Sequence, residues 1–258
     1  MPELPEVEMA RRYLEATSLC QTIKMAQVND DRILSGVSAG LLEQSLVGQQ
    51  FHSACRHGKR LFLSLKKDLW LALHLGLTGR LIYLQSGEAE PGHARLLIIF
   101  ENNCRLAFDD TRVFGKVGVV RSPQSFLSER KIGPDALEIG LKDFLNIMQD
   151  RKGMIKSALL NQSLVAGLGN LYADESLFQA GICPKSRSLS EARLKALFSA
   201  IRETLLASLS AQANLEELPD SYLLPHRYPG ETCPRDGSPL RHEKIAGRTS
   251  YYCPKHQK

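Results

Sequence analysis

Pro2 and Glu3 carry the clearest chemical potential in this chain. Once Met1 is removed, as the small Pro2 leads one to expect, a secondary amine stands beside a carboxylate. An α-amino group has a reference pKa of about 7.7–8.0, so part of it is an unprotonated nucleophile near neutral pH, which lysine is not. Glu3 would then be the nearest proton carrier. The same residues also read as an ordinary helix start. Pro5 suits a first turn, Glu6 and Glu8 suit its positive end, and Val7, Ala10 and Leu14 share a face. With Met1 retained, the proline nitrogen would be an amide and no nucleophile.

A second constellation lies near the C-terminus. Cys233 and Asp236 are followed after sixteen residues by Cys253 and His256, the spacing of two metal-binding knuckles closing a β-hairpin. A tail of this length cannot build its own core, so one structural Zn2+ would explain why it folds. Asp236 is the unusual donor of the four, with His242 as the rival fourth ligand; a metal-free hairpin with two free thiols is the plainer reading. A third feature is the run Gly167-Leu168-Gly169-Asn170 before a helix, where backbone amides can hold an anion, or simply form a turn and a cap.

These residues need a scaffold, and the chain is long enough to supply one. Its 258 residues are 43% hydrophobic, sufficient for two domains with a small appendage. Charge or glycine interrupts each long apolar stretch, and the N-terminus lacks the order of a signal peptide, so a soluble, cytoplasmic protein of a bacterial-type cell is expected, without a membrane partner and as a monomer. The formal charge of +5 leans towards a polyanionic partner. Arg56, His57, Lys59 and Arg60 form one basic knot, and Arg241, Lys244, Arg248, Lys255 and Lys258 another. The remaining cysteines, Cys20, Cys55, Cys104 and Cys183, read as reduced thiols.

After an opening helix to about residue 16, short apolar runs separated by Gly, Asn and Asp predict strands at 23–28, 49–55, 61–65, 70–75, 80–84, 96–100, 105–108 and 117–120. Asn102-Asn103 is a plausible hairpin turn. From Ile132 the pattern turns helical, at 142–149, 154–160, 171–180 and 190–209, with Ser188 and Glu191 at capping-box spacing before the last. About eight strands are enough for a sandwich or a barrel, and with the helices that follow they make the fold class α+β.

Taken in order, these pieces resemble the formamidopyrimidine-DNA glycosylase and endonuclease VIII family of base-excision repair enzymes, closest to the first branch. The resemblance runs end to end. It rests on Pro2-Glu3-Leu4-Pro5-Glu6-Val7-Glu8, Gly58-Lys59, His74-Leu75-Gly76, Arg112-Val113-Phe114-Gly115, Gly167 to Tyr172, and Gly247-Arg248 through Cys253. It implies an N-terminal helix and antiparallel β-sandwich over 1–131, a helical domain with a helix-two-turns-helix element over 132–222 and a zinc-finger hairpin over 223–258, in a clamp with duplex DNA crossing its cleft, and nucleoid association. It assigns Pro2 as nucleophile on the anomeric carbon of a flipped nucleotide, giving a Schiff base, base loss, then β- and δ-elimination at an oxidised base or abasic site. Glu3 would shuttle protons and Lys59 would assist at the lesion.

Flipping a nucleotide leaves a hole to be filled. The resemblance carries that task onto Leu77, Arg112 and Phe114, with Phe114 as wedge and Arg112 addressing the orphaned base. His74, Asn170 and Arg248 would grip phosphates, and Lys156 would support the DNA-binding site from the helical domain. Three departures stand out. Leu77 replaces the methionine common in this branch, the metal set is Cys233, Asp236, Cys253 and His256 instead of four cysteines, and residues 211–232 form a compact segment. The last favours formamidopyrimidines and further-oxidised bases over 8-oxoguanine. Two other classes remain: a non-catalytic binder of damaged or kinked DNA, against which the intact Pro2, Glu3 and Lys59 speak, and a small-molecule enzyme using an N-terminal proline, for which a metal hairpin and basic tail are superfluous.

Overall fold

The computed structural model describes residues 2–66, 68–149 and 151–258. The chain divides into two units, one of Pro2 with Glu6–Lys131, the other of Glu3–Pro5 with Ile132–Lys258. Helix α1 (Leu4–Thr17) buries Val7 and Leu14 in the first core, as its apolar spacing predicts.

The first unit contains two four-stranded antiparallel sheets. Strands β1 (Ile23–Val28), β5 (Arg80–Leu84), β6 (Ala94–Phe100) and β7 (Arg105–Asp109) pair in the order β1-β6-β7-β5. Strands β2 (Ala54–His57), β3 (Arg60–Ser64), β4 (Trp70–His74) and β8 (Lys116–Val120) pair in sequence order. Alternation sends Leu61, Leu63, Leu71 and Leu73 from one sheet against Leu96, Ile98, Leu106 and Phe108 from the other in a common core. The expected turn at Asn102-Asn103 joins β6 to β7, with Asn103 at φ +62 and the Asn102 side chain accepting from the Cys104 amide.

Two helices interrupt what the sequence reading treats as strand country. Helix α2 (Ala39–Leu46) is capped by Ser38, which accepts from the Leu41 amide, and α3 (Pro123–Glu129) by Ser122, with Pro123 in its first turn. Their shortness hides the helical period. The strand expected at 49–55 begins only at Ala54, because Gln49–Phe51 instead exchanges hydrogen bonds with residues 20–23.

The second unit holds α4 (Leu141–Met148), α5 (Ile155–Leu160), α6 (Asn170–Gln179) and α7 (Glu191–Ser210), each within a residue of expectation. The cap of α7 is Ser190 and not Ser188, since Ser190 is the residue whose hydroxyl reaches the Arg193 amide. Strands β9 (Arg241–Ile245) and β10 (Arg248–Tyr252) form the C-terminal hairpin, closed by Ala246 and Gly247, both at positive φ, as a two-residue I′ turn requires. A small cluster of Phe178, Leu223, Cys233, Tyr251 and Cys253 seats this hairpin beside α6, in the same unit as the helices. Among the described residues no helix is long and apolar enough to cross a membrane.

Candidate active site

Glu3 is 1% exposed and belongs with the second unit. Its carboxylate accepts from the amides of Gly169 (2.6 Å), Leu171 (2.9 Å) and Tyr172 (3.3 Å) at the N-terminus of α6. A helix start offers unsatisfied N–H groups, and the Glu3 carboxylate takes them up. The two glycines before it have distinct duties. Gly167 sits at φ +114, where a Cβ would lie 2.6 Å from Leu4 Cδ1, while Gly169 supplies the amide that Glu3 reaches. Gln162 stitches this loop from inside, accepting from Gly167 N and donating to Leu160 O and Leu168 O.

Lys156 is fully enclosed. Its Nζ donates to Asn170 Oδ1 (2.7 Å), Asp174 Oδ1 (2.5 Å) and Ser250 Oγ. Burial pulls its pKa down while Asp174 pushes it up, the burial effect prevailing. Asp174 also accepts from Arg227 (2.8 Å) and the Tyr251 amide (3.2 Å), and Asn170 donates to Thr249 O (3.0 Å). This network ties α5 and α6 to β10 and holds the Asn170 amide in one orientation. Lys156 therefore positions Asn170 and does not face outward itself. Arg248, at the start of β10, is exposed.

In the first unit Pro2 lines a cavity of about 310 Å³ with Glu6, Tyr13, Leu75 and Arg80. Lys59 occupies the second place of a two-residue hairpin loop between β2 and β3, after Gly58 at φ +54. His74 ends β4, and its Nδ1 accepts from the Gly76 amide at 2.7 Å. Burial, then the charges of Arg60 and Lys59, drives its pKa down to about 4.

Leu77 and the Arg112–Phe114 segment lie on neighbouring loops of this unit. A Cβ on Gly76 would meet the backbone of Phe114 and Gly115 at 2.5 Å, so only glycine allows this approach. Asp110, wholly buried, joins the loops: it accepts from Thr78 Oγ1 (2.5 Å), Arg112 N (3.3 Å) and Gly115 N (2.7 Å). Between Arg112 and Gly115, Val113 adopts φ +57, a strained conformation for a β-branched residue. Phe114 is held 51% exposed with the Arg112 guanidinium over its ring at 5.1 Å. Phe114 is thus an exposed aromatic on a loop braced by Asp110 and strained at Val113. Asp110, Thr78 and Asp174 escape the sequence reading because each has a partner distant in the chain, and Gln162 because its bonds depend on how the loop over 160–168 folds back on itself.

Three of the four expected metal ligands converge. One donor atom each from Cys233, Asp236 and Cys253 lies within 4.8 Å of the others. The His256 amide donates to Cys253 Sγ at 3.2 Å, and Ser238 bonds both Asp236 and Cys253. Asp236 is held down to about 2 by the Ser238 hydroxyl and amide, so it is a ready anionic donor. Burial pushes the Cys233 thiol up against the opposing pull of the Arg235 and Asp236 amides. The fourth residue is turned elsewhere: His256 Nε2 lies 2.9 Å from Phe178 O, with the ring packed on Phe178. His242 is not a substitute, since it stacks on Tyr251 across the hairpin. Two sulfurs and one carboxylate oxygen suit a divalent metal of zinc type, with one donor short of a closed tetrahedral set.

Residues 1–117 match the model of the formamidopyrimidine-DNA glycosylase N-terminal domain, and residues 132–218 that of the formamidopyrimidine-DNA glycosylase H2TH domain. The chain belongs to the formamidopyrimidine-DNA glycosylase family. Relatives bearing that enzyme name include proteins of Syntrophomonas wolfei, 36% identical with all of both chains covered, and Solibacter usitatus, 34% identical with the same coverage. Among solved structures, Lactococcus lactis formamidopyrimidine-DNA glycosylase bound non-covalently to DNA with an abasic site has a TM-score of 0.91 at 29% identity, covering 99% of each chain. A MutM complex with DNA containing carbocyclic 8-oxo-G gives 0.90 at 29% identity, covering all of both chains. The matched H2TH domain spans α4 to α7, and its α6 is the helix whose N-terminal amides receive Glu3.

Proposed function

We propose that this chain is a bifunctional DNA glycosylase and abasic-site lyase acting on oxidised bases in duplex DNA. The observation that carries the reading is the seat of Glu3: the residue next to the Pro2 amine is locked onto the amides of Gly169, Leu171 and Tyr172. With Glu3 so fixed, the nitrogen one residue before it has little freedom, which is the pre-organisation a nucleophile needs.

With Met1 removed, the Pro2 nitrogen attacks C1′ of the flipped nucleotide, the C1′–N bond to the base breaks and the base leaves with a proton; the C1′–O4′ bond then opens, O4′ taking a proton, to give an iminium between Pro2 and C1′. The resulting iminium acidifies the C2′ hydrogens. Loss of one breaks the C3′–O bond, and a further elimination breaks the C5′–O bond; water then releases Pro2. Glu3 protonates the sugar oxygen and shuttles protons through the later steps, and Lys59 acts beside the lesion. Leu77, Arg112 and Phe114 fill the vacated stack, and His74, Asn170 and Arg248 hold phosphates, Asn170 oriented by Lys156.

One structural Zn2+ on Cys233, Asp236 and Cys253, with His256 the adjacent fourth donor, would brace the hairpin that presents Arg248. Residues 211–232 are pinned to α6, where Glu175 accepts from the amides of Leu223 and Leu224, which supports a preference for formamidopyrimidines and further-oxidised bases over 8-oxoguanine. Borohydride trapping on duplexes carrying a formamidopyrimidine, 8-oxoguanine, dihydrouracil or an abasic site tests the proposal. An adduct mapped to Pro2 is the expected result. Salt-sensitive binding with no adduct, in protein shown to lack Met1, would establish a non-catalytic damage binder instead.

A further inference from the structure

Asn170 meets two partners whose chemistry fixes its amide. Lys156 Nζ can only donate, so the atom it reaches at 2.7 Å is Oδ1, and the Thr249 carbonyl can only accept, so the atom it receives at 3.0 Å is Nδ2. One Nδ2 hydrogen is spent on Thr249, which leaves Asn170 a single N–H to offer. The residue is half-buried, so that N–H is open to a ligand. Its direction is set by where the Thr249 carbonyl stands.

That carbonyl has a second donor. Arg227 Nη2 reaches Thr249 O at 2.8 Å and Asp174 Oδ2 at 2.8 Å, and Nε reaches the same carboxylate oxygen at 3.2 Å. The guanidinium is a rigid plane, so two acceptors on different elements, α6 and β10, are held at a fixed separation. Tyr251 closes one face of the plane, with the guanidinium carbon 4.9 Å from its ring centre. The Arg227 side chain is only 14% exposed, which leaves the plane little freedom to turn. With Arg227 and Asn170 both donating, the two lone pairs of Thr249 O are filled.

The backbone of the arginine is fixed as well. Its amide donates to Leu224 O in the short 3-10 turn Leu224–His226, and Glu175 of α6 accepts from the Leu223 and Leu224 amides at 3.1 and 2.7 Å. Glu175 is fully buried. Arg227 therefore runs from one segment anchored on α6 to a carbonyl of β10.

We infer that Arg227 is a positioning residue of the DNA grip: it places the Thr249 carbonyl, and through it aims the one N–H that Asn170 has left. Lys156 fixes the oxygen end of the Asn170 amide, and Arg227 fixes the nitrogen end by way of a backbone carbonyl. The inference rests on the reading of Asn170 as a contact to DNA phosphate; Arg227 acts through Asn170 and is not itself such a contact.

Two readouts test it. In the free full-length protein, NMR follows the Asn170 side-chain NH2 pair, identified by its loss in Asn170→Ala. Arg227→Gln should shift that pair and speed exchange of its bonded hydrogen about tenfold, as expected when a charge-supported network loses a partner. An unchanged pair overturns the inference. With DNA, affinity for a duplex carrying an abasic site is measured for Arg227→Gln, Asn170→Ala and the double variant. Arg227→Gln should weaken binding about tenfold in the native background and add nothing beside Asn170→Ala, because a residue that acts through Asn170 then has nothing to act on. An arginine that merely braced the fold would weaken both backgrounds alike, and such additive losses overturn the inference. Arg227→Lys keeps a cation beside Asp174, so it should fold even if Arg227→Gln does not, and should show the same dependence on Asn170 at smaller size. If Arg227→Gln disturbs the Asn170 signals while neither single variant changes DNA affinity, the positioning stands and the phosphate role of Asn170 falls.

Discussion

Glu3 Oε2 lies 2.6 Å from the amide nitrogen of Gly169, so the third residue of the chain completes the start of a helix more than 160 residues away. Few contacts place so specific a demand on both partners. The carboxylate satisfies amides that the turn leaves unpaired, and the turn fixes the residue beside Pro2.

Glu3→Gln keeps the size of the side chain but faces an NH2 group towards amide donors. We expect strand cleavage at an abasic site to fall by roughly 10²–10⁴-fold, with DNA affinity largely retained, as read by single-turnover cleavage and fluorescence anisotropy. The lost cap should also lower stability by about 1 kcal/mol. Cleavage at the wild-type rate would remove Glu3 from the mechanism.

Gly167→Ala should destabilise the second unit by about 1–3 kcal/mol in urea, through positive φ and the Leu4 clash together. Gly140→Ala, with a negative φ and only a 3.8 Å neighbour, should change stability far less.

Asp174→Ala leaves Lys156 and Arg227 without their carboxylate. Breaking a buried pair in this way costs about 3–5 kcal/mol, whereas removing Lys156 and Asp174 together by apolar residues should cost less than the sum of the single changes. Chemical denaturation of the two single variants and the double variant reads the coupling directly, and additive losses would show that the pair is not coupled.

The low pKa of His74 has a pH signature. Its ordinary value is 6.5 and its folded value about 4, so between these the unfolded chain binds a proton that the folded chain refuses. Stability therefore rises with pH across this window, is fully present above about 6.5, and is lost as pH falls towards 4, by roughly 3 kcal/mol in all. Denaturation curves in phosphate-free buffer at pH 4.5 and 7 should show it, and His74→Gln should flatten it.

Metal analysis should find one zinc per chain. Cys233→Ser or Cys253→Ser should drive that below one, and cobalt substitution should give a thiolate charge-transfer band. His256→Ala should retain metal with reduced affinity, since His256 stands outside the converged trio. Full loss in His256→Ala would mean that the ring leaves Phe178 to complete the site.

The family, the α+β class and nearly all of the longer elements were legible from local pattern: Pro2-Glu3, the glycines before Asn170, alternating apolar residues in the strands and the apolar stripe of α7. Such signals are written within a few residues, because capping, turns and burial periodicity act at short range. The sequence reading missed α2 and α3, which are only eight and seven residues long, and named the wrong cap for α7. What tertiary structure alone decided was partnership. That Asp110 braces the loop of Phe114, that Asp174 encloses Lys156, that His256 turns from the cysteines towards Phe178, and that Arg227 meets Asn170 at the Thr249 carbonyl depend on strand register and side-chain direction. Those are set by packing across the whole chain, and no local pattern of residues encodes them.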